Sequence, residues 1–225
     1  MTGSEPYVRL NMGSDQRDPR LVHVGNVPTL PHAMATDTNG ASKQAQIPYD
    51  TRIGIDPDKR HRLAALLNQT LAATSDLYSQ TKQAHWNVKG KDFYQLHLLY
   101  DDLAEKLEEP LDLVAERIVL LGGYAYGTVR MAAEGSLISP FPGAGQEANE
   151  DSLNDPSFLT TLADRWAEYG NHIRKANGTS GEIGDPGTTD LYDQIQHIAD
   201  RGLWFVEGHL QRYHGGLREE GKDPR

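Results

Sequence analysis

In the stretch "QAHWNVKGKDFYQLHLLYDDL" two histidines, His85 and His97, stand twelve residues apart across a Gly-containing break. Asp101 follows His97 by four residues, which on a helix puts both on one face. Asp112 and Glu116 repeat the i, i+4 spacing further along the same segment. Imidazole and carboxylate together suit iron, manganese or zinc, and the chain has no cysteine to supply a thiolate. From His97 to Asp112 the helical phase returns to within about 60°, but the rise separates the two clusters by about 22 Å. Metal–ligand bonds are only about 2.0–2.2 Å long, so one straight helix cannot bring both clusters to one ion. Two copies of the helix placed antiparallel about a two-fold axis can. His97 and Asp101 of one copy then face Asp112 and Glu116 of the other, His85 joins from the same chain as His97, and the contact creates two identical sites. Such a set suits Fe(II) and leaves positions for water or an oxidant. Glu105, Glu108 and Glu109 lie between the clusters and extend the acidic stripe. They are either a solvated face or the wall of an iron-gathering cavity.

The elements that must carry these residues are helices. Asp56 caps a first helix reaching Trp86, with Pro57 in its first turn and Leu63, Leu67, Leu71, Thr74, Tyr78 and Thr81 at helical spacing. "NVKGK" breaks it. A second helix covers 91–121, with an apolar stripe from Phe93 through Leu103 and Val114 to Leu121; Pro110 kinks it and "GG" at Gly122 ends it. The connection over 122–154 is long, with a short helix at "TVRMAAEG" and a loop at "SPFPGAG". A third helix runs over 155–177, capped by "NDPS", then a loop at "NGTSGEIGDPG" leads to a fourth over 188–211. Residues 1–55 lack periodicity and read as a flexible or extended arm, 56–213 as the bundle, and 214–225 as a short tail. His23, His32 and Asp37 give the arm either scattered solvated side chains or a minor metal site. The fold class is therefore all-α: a four-helix bundle with one long crossover containing a short helix, the ferritin-like connectivity.

Composition narrows the function classes. The formal net charge of -10 disfavours nucleic-acid contact unless a basic patch is segregated, and residues 1–50 carry four cations against five acids. There is no run of eighteen apolar residues and no apolar stretch at the start. Neither a membrane partner nor a cleaved leader is expected, and a cytoplasmic protein is.

From about His61 to Gln211 the chain resembles the Dps family of ferritin-like proteins. "QAHWNVKGKDFYQLHLLYDDL", "LDLVAERIVLLGG", "LADRWAEYGNHIRKA" and "LWFVEGHLQ" follow its helices in order and spacing. The resemblance implies a ferroxidase centre between subunits, with His85, His97 and Asp101 from one chain and Asp112 and Glu116 from its partner. It implies a dodecamer built on two-fold dimers, Fe(II) oxidation by hydrogen peroxide or O2, storage of a ferric mineral, and protection of DNA from oxidative damage. Iron is the metal, and zinc or manganese could substitute. Trp86 would be either an electron donor beside His85 or a packing residue. Asp185, Asp190 and Asp193 cluster at the start of the fourth helix. They either favour the positive helix end or, as the resemblance implies for Asp190, line a three-fold iron pore. Family members that bind DNA do so with lysine-rich arms. This nearly charge-balanced arm leaves DNA binding and nucleoid association open. The alternatives are a DNA-compacting protein whose metal site is mainly structural, and a small di-metal oxygenase. The second lacks the paired Glu-x-x-His elements such a bundle would need.

Overall fold

The computed structural model describes residues 49–142 and 156–215. His23, His32, Asp37, most of the arm, the "NDPS" cap and residues 216–225 of the tail lie outside them, in whole or in part. Among the described residues five helices follow one another: α1 (Pro57–Asn87), α2 (Phe93–Leu120), α3 (Val129–Gly135), α4 (Pro156–Ile183) and α5 (Pro186–Gly215). Among the described residues no strand occurs. Asp56 caps α1 by accepting from the Asp58 and Lys59 amides, and Pro57 needs no amide partner there. α2 runs without interruption through Pro110, which is buried.

Cross-helix contacts fix the directions. Lys82 meets Asp101, Tyr78 meets Glu108 and the Arg60 guanidinium reaches the Leu121 carbonyl. As numbers rise on α1 they fall on α2, so the two are antiparallel. Asn177 to Asp193 and Arg174 to Asp200 show the same for α4 and α5. α1 packs on α2 and α4, and α5 on α4 and α2, which closes a four-helix ring. Its centre is Leu63, Leu67, Leu71, Leu77, Tyr100, Leu107, Ile118, Leu162, Trp166, Tyr169, Ile173 and Tyr192, all at 1% exposure or less. A polar seam crosses this core. The Thr74 hydroxyl meets Tyr169 at 2.9 Å, and Thr70 meets both Tyr192 and the His172 Nε2 at 3.0 Å. Burial pushes both tyrosine hydroxyls above their ordinary range, so they remain neutral hydrogen-bonding groups.

Two helix ends deserve their glycines. Gly122 has φ 85°, its amide reaches the Val119 carbonyl, and the Gly123 amide reaches Ile118, a Schellman stop to α2. Gly184 at φ 84° stops α4 in the same way, through its own amide to Gly181 and that of Asp185 to Ser180. Here the structure departs from the sequence reading. "NGTSGEI" is helical, not loop, and α4 ends at Ile183 rather than near Asn177. The reason is tertiary: Ser180 is fully buried, its hydroxyl lies 3.0 Å from that of Thr189, and Ile183 is 3% exposed. Packing against α5 overrides the weak helix propensity of the two glycines.

The crossover is stitched down just after α3. Ser136 donates to Asp76, Gln80 donates to the Ser139 carbonyl, and the Ser139 amide donates to Glu168. Residues 49–55, at the end of the stretch expected to be an arm, lie on the bundle. The Tyr49 amide donates to the Gly122 carbonyl, and Ile53 and Ile55 pack against the core.

α4 and α5 are tightly packed at Gly202. A Cβ there would come within 2.2 Å of the Trp166 ring, which is fully buried. Gly202→Ala is expected to lower stability by at least about 1–3 kcal/mol, the usual cost of overpacking. Thermal unfolding of the variant checks this; an unchanged Tm would show that the indole moves aside freely.

Candidate metal centre

The corner between α1 and α2 locks its two histidines together. The His85 ring sits 2.8 Å, through Nδ1, from the His97 carbonyl, and the His97 Nδ1 sits 3.0 Å from the His85 carbonyl. A carbonyl only accepts, so each Nδ1 carries the proton and donates. The rings stack at 3.8 Å between centroids, 21° from parallel. Phe93 was expected in the apolar stripe of α2. It is instead 41% exposed and lies tilted against the outer side of His97. With both Nδ1–H groups used, Nε2 is the nitrogen of each ring that remains to bind a metal. A bond from the second nitrogen to a backbone carbonyl is the usual way an imidazole ligand is oriented.

Asp101 stands beside them, its Oδ1 3.8 Å from the His85 Nε2. The same oxygen takes a 2.6 Å bond from Lys82. That bond is the main reason the Asp101 carboxyl is held below its usual range, and it raises the Lys82 ammonium in turn. Lys82 was not singled out in the sequence, although it lies one turn before His85 and so shares its face. The Lys82 ammonium occupies the Asp101 oxygen nearest to the His85 Nε2. Lys82→Met is expected to tighten Zn(II) or Mn(II) binding severalfold, read by calorimetry, because the ion no longer competes with an ammonium. An unchanged or weaker affinity would show that the bond to Asp101 does not guard the site.

Asp112 and Glu116 are exposed on the outer face of α2. Among the described residues no group of three or more His, Asp or Glu side chains of the single chain is gathered to hold an ion. The chain thus brings His85, His97 and Asp101 near one another and leaves Asp112 and Glu116 apart. Glu105, Glu108 and Glu109 are exposed between the clusters, with Glu108 accepting from Tyr78 at 3.4 Å. Trp86 is 63% exposed.

The three aspartates of α5 separate. Asp185 is 6% exposed, pairs with Arg117 at 2.5 Å and caps α5 through the Thr188 amide and hydroxyl. Its carboxylate is engaged inside the bundle by these partners. Asp190 is partnered by Gln194 and Asp193 by Asn177, both on the surface.

An all-α bundle with one crossover and a histidine–carboxylate corner defines a ferritin-like protein. The family described as ferritin-like domain matches residues 64–214. The DNA protection during starvation protein of Agrobacterium fabrum is 34% identical over 163 residues, spanning 72% of this chain and 96% of that protein. DpsC from Streptomyces coelicolor superposes with a TM-score of 0.66 at 34% identity, covering 72% of this chain and 91% of its own. A Dps protein from Vibrio cholerae O1, described as a member of a broad superfamily of ferritin-like diiron-carboxylate proteins, has a TM-score of 0.63 at 24% identity. It covers 76% of this chain and 99% of its own. The chain belongs to the ferritin-like family, within the branch of the Dps proteins. Among the described residues no helix is long and apolar enough to cross a membrane.

Proposed function

We propose that the protein is a ferroxidase that oxidises Fe(II) with hydrogen peroxide or O2 and stores the ferric product as a mineral inside a hollow dodecamer. In doing so it protects DNA. The observation that carries this reading is the reciprocal histidine lock, which leaves both Nε2 atoms uncommitted, that of His85 3.8 Å from the Asp101 carboxylate, with two further acids on the helix of His97 and Asp101. Iron is the substrate. His85, His97 and Asp101 bind from one protomer, and Asp112 and Glu116 from its two-fold partner. The pairing also suits the outer face of α2, where Tyr94 and Leu98 at one end are exposed, as are Leu113, Val119 and Leu120 at the other. Antiparallel pairing sets these apolar ends against each other and the acids against the histidines.

Two ferrous ions each release one electron to one hydrogen peroxide, whose O–O bond breaks and whose two oxygens take up two protons from solvent and leave as two waters. Imidazole and carboxylate donors favour the harder ferric product, and carboxylate charge offsets its extra positive charge. Zinc and manganese fit the same donors. Trp86, next to His85 in sequence, would donate an electron when only one ferrous ion is bound. Glu105, Glu108 and Glu109 would nucleate the mineral, and Asp190 and Asp193 would draw cations through a three-fold pore. Native mass together with iron content tests the proposal. Addition of Fe(II) and peroxide should yield a ferric product inside a closed symmetric assembly of about twelve chains. A two-chain particle that retains no iron would contradict it. The rival reading, a DNA-compacting protein with a structural metal site, draws support from the name of the Agrobacterium relative. It predicts strong, salt-sensitive retention of DNA in a gel shift at two salt concentrations.

A further inference from the structure

A groove of about 700 Å³ runs between the segment at Tyr49 and the last turns of α2. Tyr49, Asp50, Thr51, Glu116, Val119 and Leu120 form most of its wall. Tyr49, Val119 and Leu120 are 58%, 56% and 59% exposed, so the groove presents apolar surface to solvent with two carboxylates at its edge. At the opposite end of the bundle, the α1–α2 corner carries the reverse pattern. Trp86 projects there with 63% of its surface exposed, and Lys89 and Lys91 follow it.

We propose that the groove seats Trp86 of a second copy of this chain, with Tyr49–Thr51 serving as a strap that completes the seat. The inference rests on the two-fold pairing proposed above. In that pairing His85 of one copy meets Glu116 of the other. Trp86 is the residue after His85, and Val119 and Leu120 lie one helical turn, about 5 Å, beyond Glu116. The pairing therefore brings the indole within reach of the groove. Charge agrees: the lysine-bearing corner enters beside Asp50 and Glu116. A large aromatic entering an apolar pocket at the edge of a charged site is the kind of contact that dominates interface energetics, and it excludes water from the metal ligands beside it. The segment at Tyr49 thus gains a role in partner recognition that the helices alone do not supply.

The chain has no cysteine, which makes disulfide trapping clean. Trp86 and Leu120 lie at opposite ends of the antiparallel α1–α2 pair, about 39 Å apart by helix rise. A disulfide needs Cα atoms within about 7 Å, so any bridge between them must join two chains. The double variant Trp86→Cys, Leu120→Cys should form covalent dimers on mild oxidation. The pair Trp204→Cys, Leu120→Cys should not. A particle of wild-type native mass without the bridge would overturn the seat. As a second measurement, Tyr49→p-benzoylphenylalanine in the otherwise unaltered chain should photo-cross-link to the peptide bearing Trp86 of another chain. Cross-linking to residues 1–48, to the C-terminal tail, or to nothing would overturn the proposal. Tyr49→Ala should weaken dimerisation by roughly tenfold or more, and unchanged association would count against the strap. Wild-type Fe(II) oxidation is scored separately. Oxidation without either cross-link rejects the seat and leaves the ferroxidase reading intact; cross-links without oxidation keep the seat and reject the ferroxidase.

Discussion

Replacing His97 by Ala and Asp112 by Asn in one chain is expected to slow Fe(II) oxidation more than about 100-fold, since loss of even an outer-shell partner typically costs 10–100-fold. The bundle should survive. His97 is only half-buried and Asp112 is exposed, so neither change opens the core. His97→Ala also removes one of the two Nδ1 bonds that hold the corner, so the His85 ring loses its stacking partner. The assembled mass and the helical circular dichroism signal should match wild type while stopped-flow oxidation collapses. Wild-type rates in an intact shell would move the chemistry away from these residues.

Arg117→Met carries the largest expected effect on stability. Arg117 reaches from α2 to Asp185 and Thr188 at the start of α5, and Gly187 leaves room for its guanidinium. Both partners of the ion pair are mostly buried, with side chains 17% and 7% exposed. Burial alone would push the Asp185 carboxyl up, but bonds from Thr188 and Arg117 outweigh it and hold the carboxyl below its usual range. Removing one member of such a pair strands the other, at a cost of about 3–5 kcal/mol, or a Tm drop of roughly 6–20 °C for a chain of this size. The sign of the pH dependence follows. A depressed carboxyl stabilises the fold above its ordinary range near pH 4, and that stability is lost as pH falls through the lowered value. Wild type should therefore lose stability on acidification below about pH 4, and Arg117→Met should lose less over the same interval. Equal acid slopes would show that the pair does not control Asp185.

The helices that carry the site were legible because their signals are local. Asp56–Pro57 marked the start of α1, the leucine spacing marked its inner face, and the double glycine at Gly122 marked the end of α2. The i, i+4 spacing of His97 with Asp101 and of Asp112 with Glu116 showed the two clusters. The parts that were not legible depend on neighbours distant in sequence. α4 continues through Gly178 and Gly181 because Ser180 and Ile183 are packed against α5, which no local propensity reveals. Asp185 looked like one of three surface acids, and only the arrival of Arg117 from α2 makes it an internal cap. The segment at Tyr49–Ile55 has no periodicity, yet two isoleucines and one backbone bond fix it to the bundle. Lys82 did carry a signal, its spacing one turn before His85. As an ammonium it carries donors only and cannot ligate a metal, so its residue type does not group it with the imidazoles and carboxylates.

The claim that each site is divided between two chains can be tested by mixing two inactive variants. His97→Ala subunits lack one half of the donor set, and Asp112→Ala subunits lack the other. In a two-fold dimer of one of each, the intact histidine side of the second meets the intact acid side of the first, while the other site loses both. Random pairing makes half of the dimers mixed, each with one working site of two, so co-assembly by unfolding and refolding together should restore about a quarter of wild-type Fe(II) oxidation. A mixture that stays as inactive as its parents, although native mass shows the two variants sharing one assembly, would contradict the divided site.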